Sequence, residues 1–187
     1  EELAALKAGL GELANRLDDL PDSMSLHYGL ITYRDQAKTE ATQIFDLTDD
    51  WALFTTNLNG VTAVGGNDYA ENLHSGLSQA IANNTWRPDA TRLLILIGDA
   101  PPHPDNPDTI PLDETLLLAT EQNITIYAIG SDGLNEPGEA IYQKIAQSGN
   151  GRFIFISDNL DNNQTVATAV YPIAHLTTAV ADIVLEV

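Results

Sequence analysis

Leu93-Leu94-Ile95-Leu96-Ile97-Gly98-Asp99 is the stretch on which the fold turns. A strand with one wet face alternates apolar and polar residues, and this one does not. Apolar on both faces, it reads as a strand inside a sheet covered by helices, and it closes on Gly98-Asp99. Towards the C terminus, Pro101, Pro102, Pro104, Pro107 and Pro111 stiffen a loop, and residues 112–123 are expected to be helical. Residues 124–129 form the next strand, ended by Gly130-Ser131-Asp132-Gly133. A helix over 138–148, a strand over 152–156 and a last helix from 166 to about 181, broken near Pro172, complete that half.

Towards the N terminus, residues 68 to about 84 are expected to form a helix with Leu73, Leu77, Ala80 and Ile81 on one side. Gly60 and Gly65-Gly66 punctuate the loop before it. Asp49-Asp50-Trp51 opens an earlier helix carrying Leu53, Phe54 and Leu58, and residues 42–47 form a short strand. Residues 25–33 read as a strand stopping at Arg34-Asp35. Leu3, Leu6, Leu10, Leu13, Leu17 and Leu20 recur at helical spacing up to Pro21, one amphipathic helix. Strands alternating with helices imply an α/β fold with a doubly wound, mostly parallel sheet. Residues 1–187 read as a single domain without internal repeats. On such a sheet, ligands bind at the carboxyl ends of strands.

The chain of 187 residues carries 27 acidic against 8 basic side chains, a net charge of −19, while 43% of it is hydrophobic. That is too apolar for a disordered acidic tail. The charge argues against nucleic acid and anionic membrane surfaces as partners and towards cations. No apolar run approaches the roughly 20 residues of a membrane span. Without cysteine, disulfides, zinc–thiolate sites and thiol nucleophiles are excluded. The chain opens on Glu1-Glu2-Leu3-Ala4 rather than on a signal peptide, and is expected to be the ordered part of something longer.

Two strands of the buried type end in an acid, Asp35 and Asp99. Between them Gly65-Gly66-Asn67-Asp68-Tyr69-Ala70-Glu71 leads from a Gly-rich loop into a helix. On a doubly wound sheet Asp35, Asp68, Glu71 and Asp99 face the same edge. Carboxylates so clustered repel unless a cation or protons neutralise them, and oxygen-only ligands select Mg²⁺ or Ca²⁺ over zinc or copper. Each residue alone also has a structural reading. Asp68 with Glu71 three residues on is a capping box, Asp35 can orient a turn beside Arg34, and Asp99 can cap its loop through an Asx-turn. Four acids at one end of one sheet favour a metal site.

Other candidates carry less. His27, His74, His103 and His175 lack metal-ligand spacing, and His103 only lies near the proposed site. Gly149-Asn150-Gly151 precedes a strand, where a tight turn explains it better than a phosphate loop. Asp105, Asp108, Asp158 and Asp161 read as solvated loop residues. Asn84, Asn123 and Asn163 come into view as glycosylation acceptors; Asn123-Ile124-Thr125, Asn163-Gln164-Thr165 and Asn83-Asn84-Thr85 match the sequon, which matters only on a secretory route. No Gly-x-Ser-x-Gly elbow or Ser–His–Asp partnership is evident.

The segment from Leu93 to Asp99, continued by Ala100-Pro101-Pro102-His103, resembles the fourth strand of a von Willebrand factor type A (VWA) domain, whose terminal Asp belongs to the metal-ion-dependent adhesion site. Gly29-Leu30-Ile31-Thr32-Tyr33-Arg34-Asp35 is similar to the family's second strand. Gly66-Asn67-Asp68-Tyr69-Ala70-Glu71 is similar to the Asp-x-Pro-Glu loop of integrin β-subunit I domains. Ile126-Tyr127-Ala128-Ile129-Gly130 and Gly149-Asn150-Gly151-Arg152-Phe153 resemble the fifth and sixth strands. The resemblance implies that Glu71 ligates the adhesion-site metal directly, with Asp99 direct or through water. It also matches Asp35, Asp68 and Glu71 to an adjacent Ca²⁺ site of the integrin β version. Ala70 replaces the family's Pro, and Gly66 stands where an Asn is expected, with Asn67 one place later. No Asp-x-Ser-x-Ser occurs. That motif closes the family's first, central strand, which is expected upstream of Glu1 or in a separate piece. Its place is between the strands at 25–33 and 93–97, so those two are not expected to pair.

The expected function is an adhesion-type binding module, not an enzyme. Mg²⁺ or Ca²⁺ on protein oxygens would leave one coordination position for a carboxylate of the partner, and the cation reverses the local sign of an anionic domain. The alternatives are a structural or assembly protein with a degenerate site and, behind it, a metal-dependent hydrolase. The composition points to an extracellular or cell-surface location, with the cytoplasm as the alternative.

Overall fold

The computed structural model describes residues 1–21, 24–34, 42–63, 68–103, 110–158 and 170–186. The chain falls into two units interleaved in sequence. One comprises Glu1–Met24, Ile95–Asp99 and Ile126–Val187; the other comprises Ser25–Leu94 and Ala100–Thr125.

The first unit is built on a sheet in the spatial order β3-β4-β5-β6. Its strands are β3 (Arg92–Gly98), β4 (Ile124–Ser131), β5 (Asn150–Ile156) and the short β6 (Val170–Tyr171). β4 and β5 run parallel, as do β5 and β6. Ile126, Ala128 and Ile129 are wholly buried, as expected for a strand inside such a sheet. β3 stands at the end of the strand order, and of its apolar run only Leu96 is fully buried. Burial of that whole run was expected from composition, which does not report a strand's rank in the sheet.

Gly149 and Gly151 let the turn before β5 approach β4. A Cβ on Gly149 would lie 2.5 Å from Ile126 Cβ, and one on Gly151 would lie 2.2 Å from Ile126 O. Asn150 between them takes a positive φ of 56°, which Asn tolerates better than most residues. The tight-turn reading of this motif therefore holds. Helix α6 (Glu136–Ser148) packs on β5. It starts two residues before the expected 138 because the Asn135 side chain caps it, accepting from the Gly138 N–H at 2.9 Å.

The leucine-striped N-terminal helix is two helices, α1 (Glu2–Ala8) and α2 (Leu10–Leu17). Hydrogen bonding continues through the junction, from Gly9 N–H to Ala5 O at 3.0 Å and from Leu13 N–H to Gly9 O at 2.9 Å, so the break is a kink. Close packing leaves room only for glycine at the junction: a Cβ on Gly9 would lie 2.2 Å from Thr177 Oγ1. Both helices pack on α7 (Leu176–Glu186), and Arg16 bonds Thr178 O and pairs with Asp182 there. The last helix also differs from expectation. β6 and a single 3₁₀ turn, Ile173–His175, precede α7, and residues 166–169 lie outside the described residues.

In the second unit, β1 (Tyr28–Tyr33) pairs antiparallel with β2 (Thr42–Thr48), in a sheet separate from that of β3. Helix α3 (Trp51–Gly60) is capped by Asp50, which accepts from Leu53 N–H at 3.0 Å. Tyr28, Trp51 and Phe54 form an aromatic cluster with ring centroids 4.9 to 5.6 Å apart. Helix α4 (Leu73–Asn83) packs against β1, β2 and α5 (Leu112–Glu121). Helix α5 stops short of the expected 123 because Asn123, at φ 53°, turns the chain into β4.

Candidate functional site

Helix α4 begins at Leu73, five residues later than expected, and the reason lies at Glu71. Its backbone forms a parallel bridge with Pro102. The Glu71 N–H donates to Pro101 O at 2.9 Å, and the His103 N–H donates to Glu71 O at 3.2 Å. An extended, cross-paired residue cannot be the third residue of a helix. The capping-box reading of Asp68 and Glu71 is thereby corrected. The acidic loop is instead stitched to the segment that follows Asp99 in sequence, and Oε2 of Glu71 is buried.

Asp68 is 60% exposed and faces the nearly buried His103 ring, with Nε2 3.7 Å from Oδ1. His103 was expected only to lie nearby, but it touches the loop through both backbone and ring. The sequence signal was its place four residues after the strand-ending Asp99, which spacing rules for metal histidines do not register.

In the first unit, Asp99 follows β3. Gly133, at φ 111°, lies against it: a Cβ there would be 3.2 Å from Asp99 O. Burial, and next the neighbouring Glu2 carboxylate, raise the Asp99 carboxyl above its ordinary range. Glu2 is held in place by Ser131, a fully buried residue at the end of β4, whose hydroxyl donates to Glu2 Oε1 at 2.6 Å. Sequence reading missed Glu2 and Ser131, which are joined across most of the chain.

A second acidic link closes the same unit. Asp132 accepts from Ser157 Oγ at 2.6 Å and from the Asp158 N–H at 3.1 Å, and Asp158 accepts from the Ile173 N–H at 3.0 Å. Asp158 was read as a solvated loop residue; it is exposed, but it caps the turn leading to α7. Asp105, Asp108, Asp161 and Asn163 lie outside the described residues.

Of the four proposed metal ligands, Asp68 and Glu71 share one loop in the second unit, Asp99 belongs to the first unit, and Asp35 lies outside the described residues. Among the described residues no group of three or more His, Asp or Glu side chains is placed to hold a metal ion. No helix among them is long and apolar enough to cross a membrane.

Parallel strands β4, β5 and β6 packed with helices, with acids following β3, β4 and β5 at Asp99, Asp132 and Asp158, belong to the class of doubly wound α/β folds. Within that class, the family model for the von Willebrand factor type A domain matches residues 1–169, and the chain belongs to that family. The chain is 27% identical over 149 residues to the alpha-protein kinase vwkA of Dictyostelium discoideum. The match covers 73% of this chain and only 24% of that protein. Among solved structures it is similar to the conserved hypothetical protein BatB from Bacteroides thetaiotaomicron, with a TM-score of 0.60 and 15% identity. That likeness covers 98% of this chain and 87% of the other. It concerns the fold alone. VWA domains are typically protein-interaction modules.

Proposed function

We propose that the chain is a metal-dependent, adhesion-type binding module rather than an enzyme. Asp35, Asp68, Glu71 and Asp99 hold Mg²⁺ or Ca²⁺, and a carboxylate of the protein partner completes the coordination. The observation that carries this reading is the two-bond pairing of Glu71 with Pro101 and His103. It docks a carboxylate-bearing loop on the segment that follows β3 and Asp99, and strand ends are where doubly wound folds present their ligand loops. The donor set is all oxygen, which suits a hard cation. Asp99, raised by burial and next by the Glu2 carboxylate, is a carboxyl whose charged form a cation would stabilise. A net charge of −19 disfavours nucleic acid as the partner, whereas a bound cation lets an anionic surface accept an acidic group. The setting we infer is extracellular or at the cell surface. The kinase activity in the name of vwkA belongs to that larger protein.

The test is a pair of melting curves, with chelator and with Ca²⁺ or Mg²⁺, for the full chain and for Glu71→Gln. Binding to the folded state alone adds about 2.7 kcal/mol at a hundredfold excess of ion over its dissociation constant. Glu71→Gln should keep the melting temperature measured in chelator and lose the metal-induced rise, because ligation of a hard dication needs the carboxylate charge. An equal rise in both proteins removes Glu71 from the site. No rise in either leaves a protein-binding module that works without metal.

A further inference from the structure

A groove in the first unit lies between the N-terminal helices and the start of α7. The junction of α1 and α2 forms one wall, and the 3₁₀ turn with the first turn of α7 forms the other. It encloses about 480 Å³, within the range of sites that hold a ligand group. Small side chains make the space, with Ala5, Ala8 and Ala174 among its lining. The walls meet at Gly9 and Thr177, where a Cβ on Gly9 would lie 2.2 Å from Thr177 Oγ1 and 2.3 Å from its Cγ2.

Two polar side chains line this groove without the partners expected of them. Thr177 is only 2% exposed, yet among the described residues its hydroxyl makes no hydrogen bond, and a buried hydroxyl is nearly always paired. Glu12 has no cationic partner among the described residues. Arg16, one turn on and placed to pair with it along the helix, pairs with Asp182 instead and bonds Thr178 O at 3.2 Å. The Thr178 hydroxyl donates to Glu12 Oε1 at 3.1 Å, which leaves Oε2 to accept from elsewhere.

We propose that this groove binds a lysine side chain of a protein partner, its alkyl stem against the alanines and its ammonium on Glu12 Oε2 and Thr177 Oγ1. An ammonium carries three donors and no acceptor, which complements a carboxylate oxygen and a hydroxyl lone pair. An arginine fork reaches its bidentate fit only with both oxygens of a carboxylate, and Glu12 Oε1 is already taken. A long cationic side chain buries its stem on apolar surface while its head stays with polar groups. The net charge of −19 draws basic partners to the domain, and the groove selects among them. The site needs no metal and stands whether or not one binds elsewhere.

The experiment follows methyl signals of the full chain by NMR during titration with N-acetyl-lysine amide. The comparison probes are its Nε-acetylated form, which keeps the stem and lacks the charge, and N-acetyl-arginine amide. Saturable shifts should appear at Ala5, Ala8, Ala174 and Thr177 with the lysine probe, be absent with the acetylated one, and need more of the arginine probe. Glu12→Gln should weaken binding about fivefold, and Thr177→Val, which keeps the side-chain volume, about threefold. Ala8→Leu, at an exposed position, should fill the groove and abolish the shifts. Glu121→Gln, in α5, changes the net charge equally and should leave binding unchanged. Equal losses in Glu12→Gln and Glu121→Gln would reduce the effect to general attraction by an acidic surface and overturn the proposal. Equal shifts with the acetylated probe, tighter binding of the arginine probe, or no saturable shift at all would overturn it as well.

Discussion

Gly151→Ala and Gly11→Ala add the same methyl group, and the structure assigns them opposite signs. A Cβ at Gly151 would stand 2.2 Å from Ile126 O, 2.8 Å from Ile126 C and 3.2 Å from Tyr127 Cδ2. An ordinary C···O contact is about 3.3 Å or longer, so about 1 Å must be recovered by moving main chain. The obstacle is the backbone of β4, with Ile126 itself wholly buried, and no flexible side chain can yield. Overpacking of this kind costs about 1–3 kcal/mol. Restricting the unfolded chain returns about 0.4–1 kcal/mol, leaving a net loss of about 1–2 kcal/mol. At Gly11, in α2, a Cβ would meet nothing within 4 Å. There the helical preference of Ala over Gly acts alone and stabilises by about 0.5–1 kcal/mol. Urea denaturation measures both. With a slope of about 2 kcal/mol per molar, the Gly151→Ala midpoint should fall by about 0.5–1 M and the Gly11→Ala midpoint rise by about 0.3–0.5 M. The slopes themselves should not change. Midpoints moving in the same direction, or Gly151→Ala matching the parent, would refute the argument that close backbone approach selects glycine at 151.

Asp50→Ala removes the α3 cap on Leu53 N–H and should cost about 1 kcal/mol, read as a lower denaturation midpoint; an unchanged midpoint would show the cap to be idle. Asp132→Ala releases the Ser157 hydroxyl and the Asp158 amide. Amide exchange at Asp158 and Ile173 should accelerate, and protection equal to the parent's would dissociate Asp132 from the turn before α7. Asp99 supplies a pH dependence in the absence of metal. Its folded-state pKa is raised, by burial first and Glu2 second, so the folded form favours the proton. The resulting cost is absent below the unfolded pKa and fully present above the folded one, and stability falls as pH rises between them. Asp99→Asn should gain stability relative to the parent as pH rises through that window. A difference between the two proteins that does not vary with pH would mean that the charge on Asp99 carries no such cost.

What was legible in this sequence follows the range of the forces involved. Apolar runs at 93–97 and 124–129 located β3 and β4 to within two residues at each end, because strand burial is written in consecutive residues. The helix start at Asp49-Asp50-Trp51 was equally local. The kink at Gly9 was not: the leucine stripe remained periodic across it, and the close approach of Thr177 to Gly9 comes from the other end of the chain. Glu71 is the instructive failure. Asp-x-x-Glu before an apolar helix is a valid start signal, yet pairing with Pro101 and His103 holds that residue extended and delays the helix to Leu73. Two backbone hydrogen bonds to a distant segment outweighed a local preference of about 1 kcal/mol. The same displacement placed Asp68 opposite His103, a relation that spacing rules do not encode. Glu2, Ser131 and Asp99 form the corresponding case in the other unit. A first-turn acid of a helix, a strand-end serine and a strand-end acid are each unremarkable in sequence, and they meet only because the sheet and the N-terminal helix share one unit. Strand-ending acids were therefore readable one by one, as a consequence of where a doubly wound fold presents its loops. The Asp99 carboxyl is raised by burial first and by Glu2 next, and both depend on tertiary contacts.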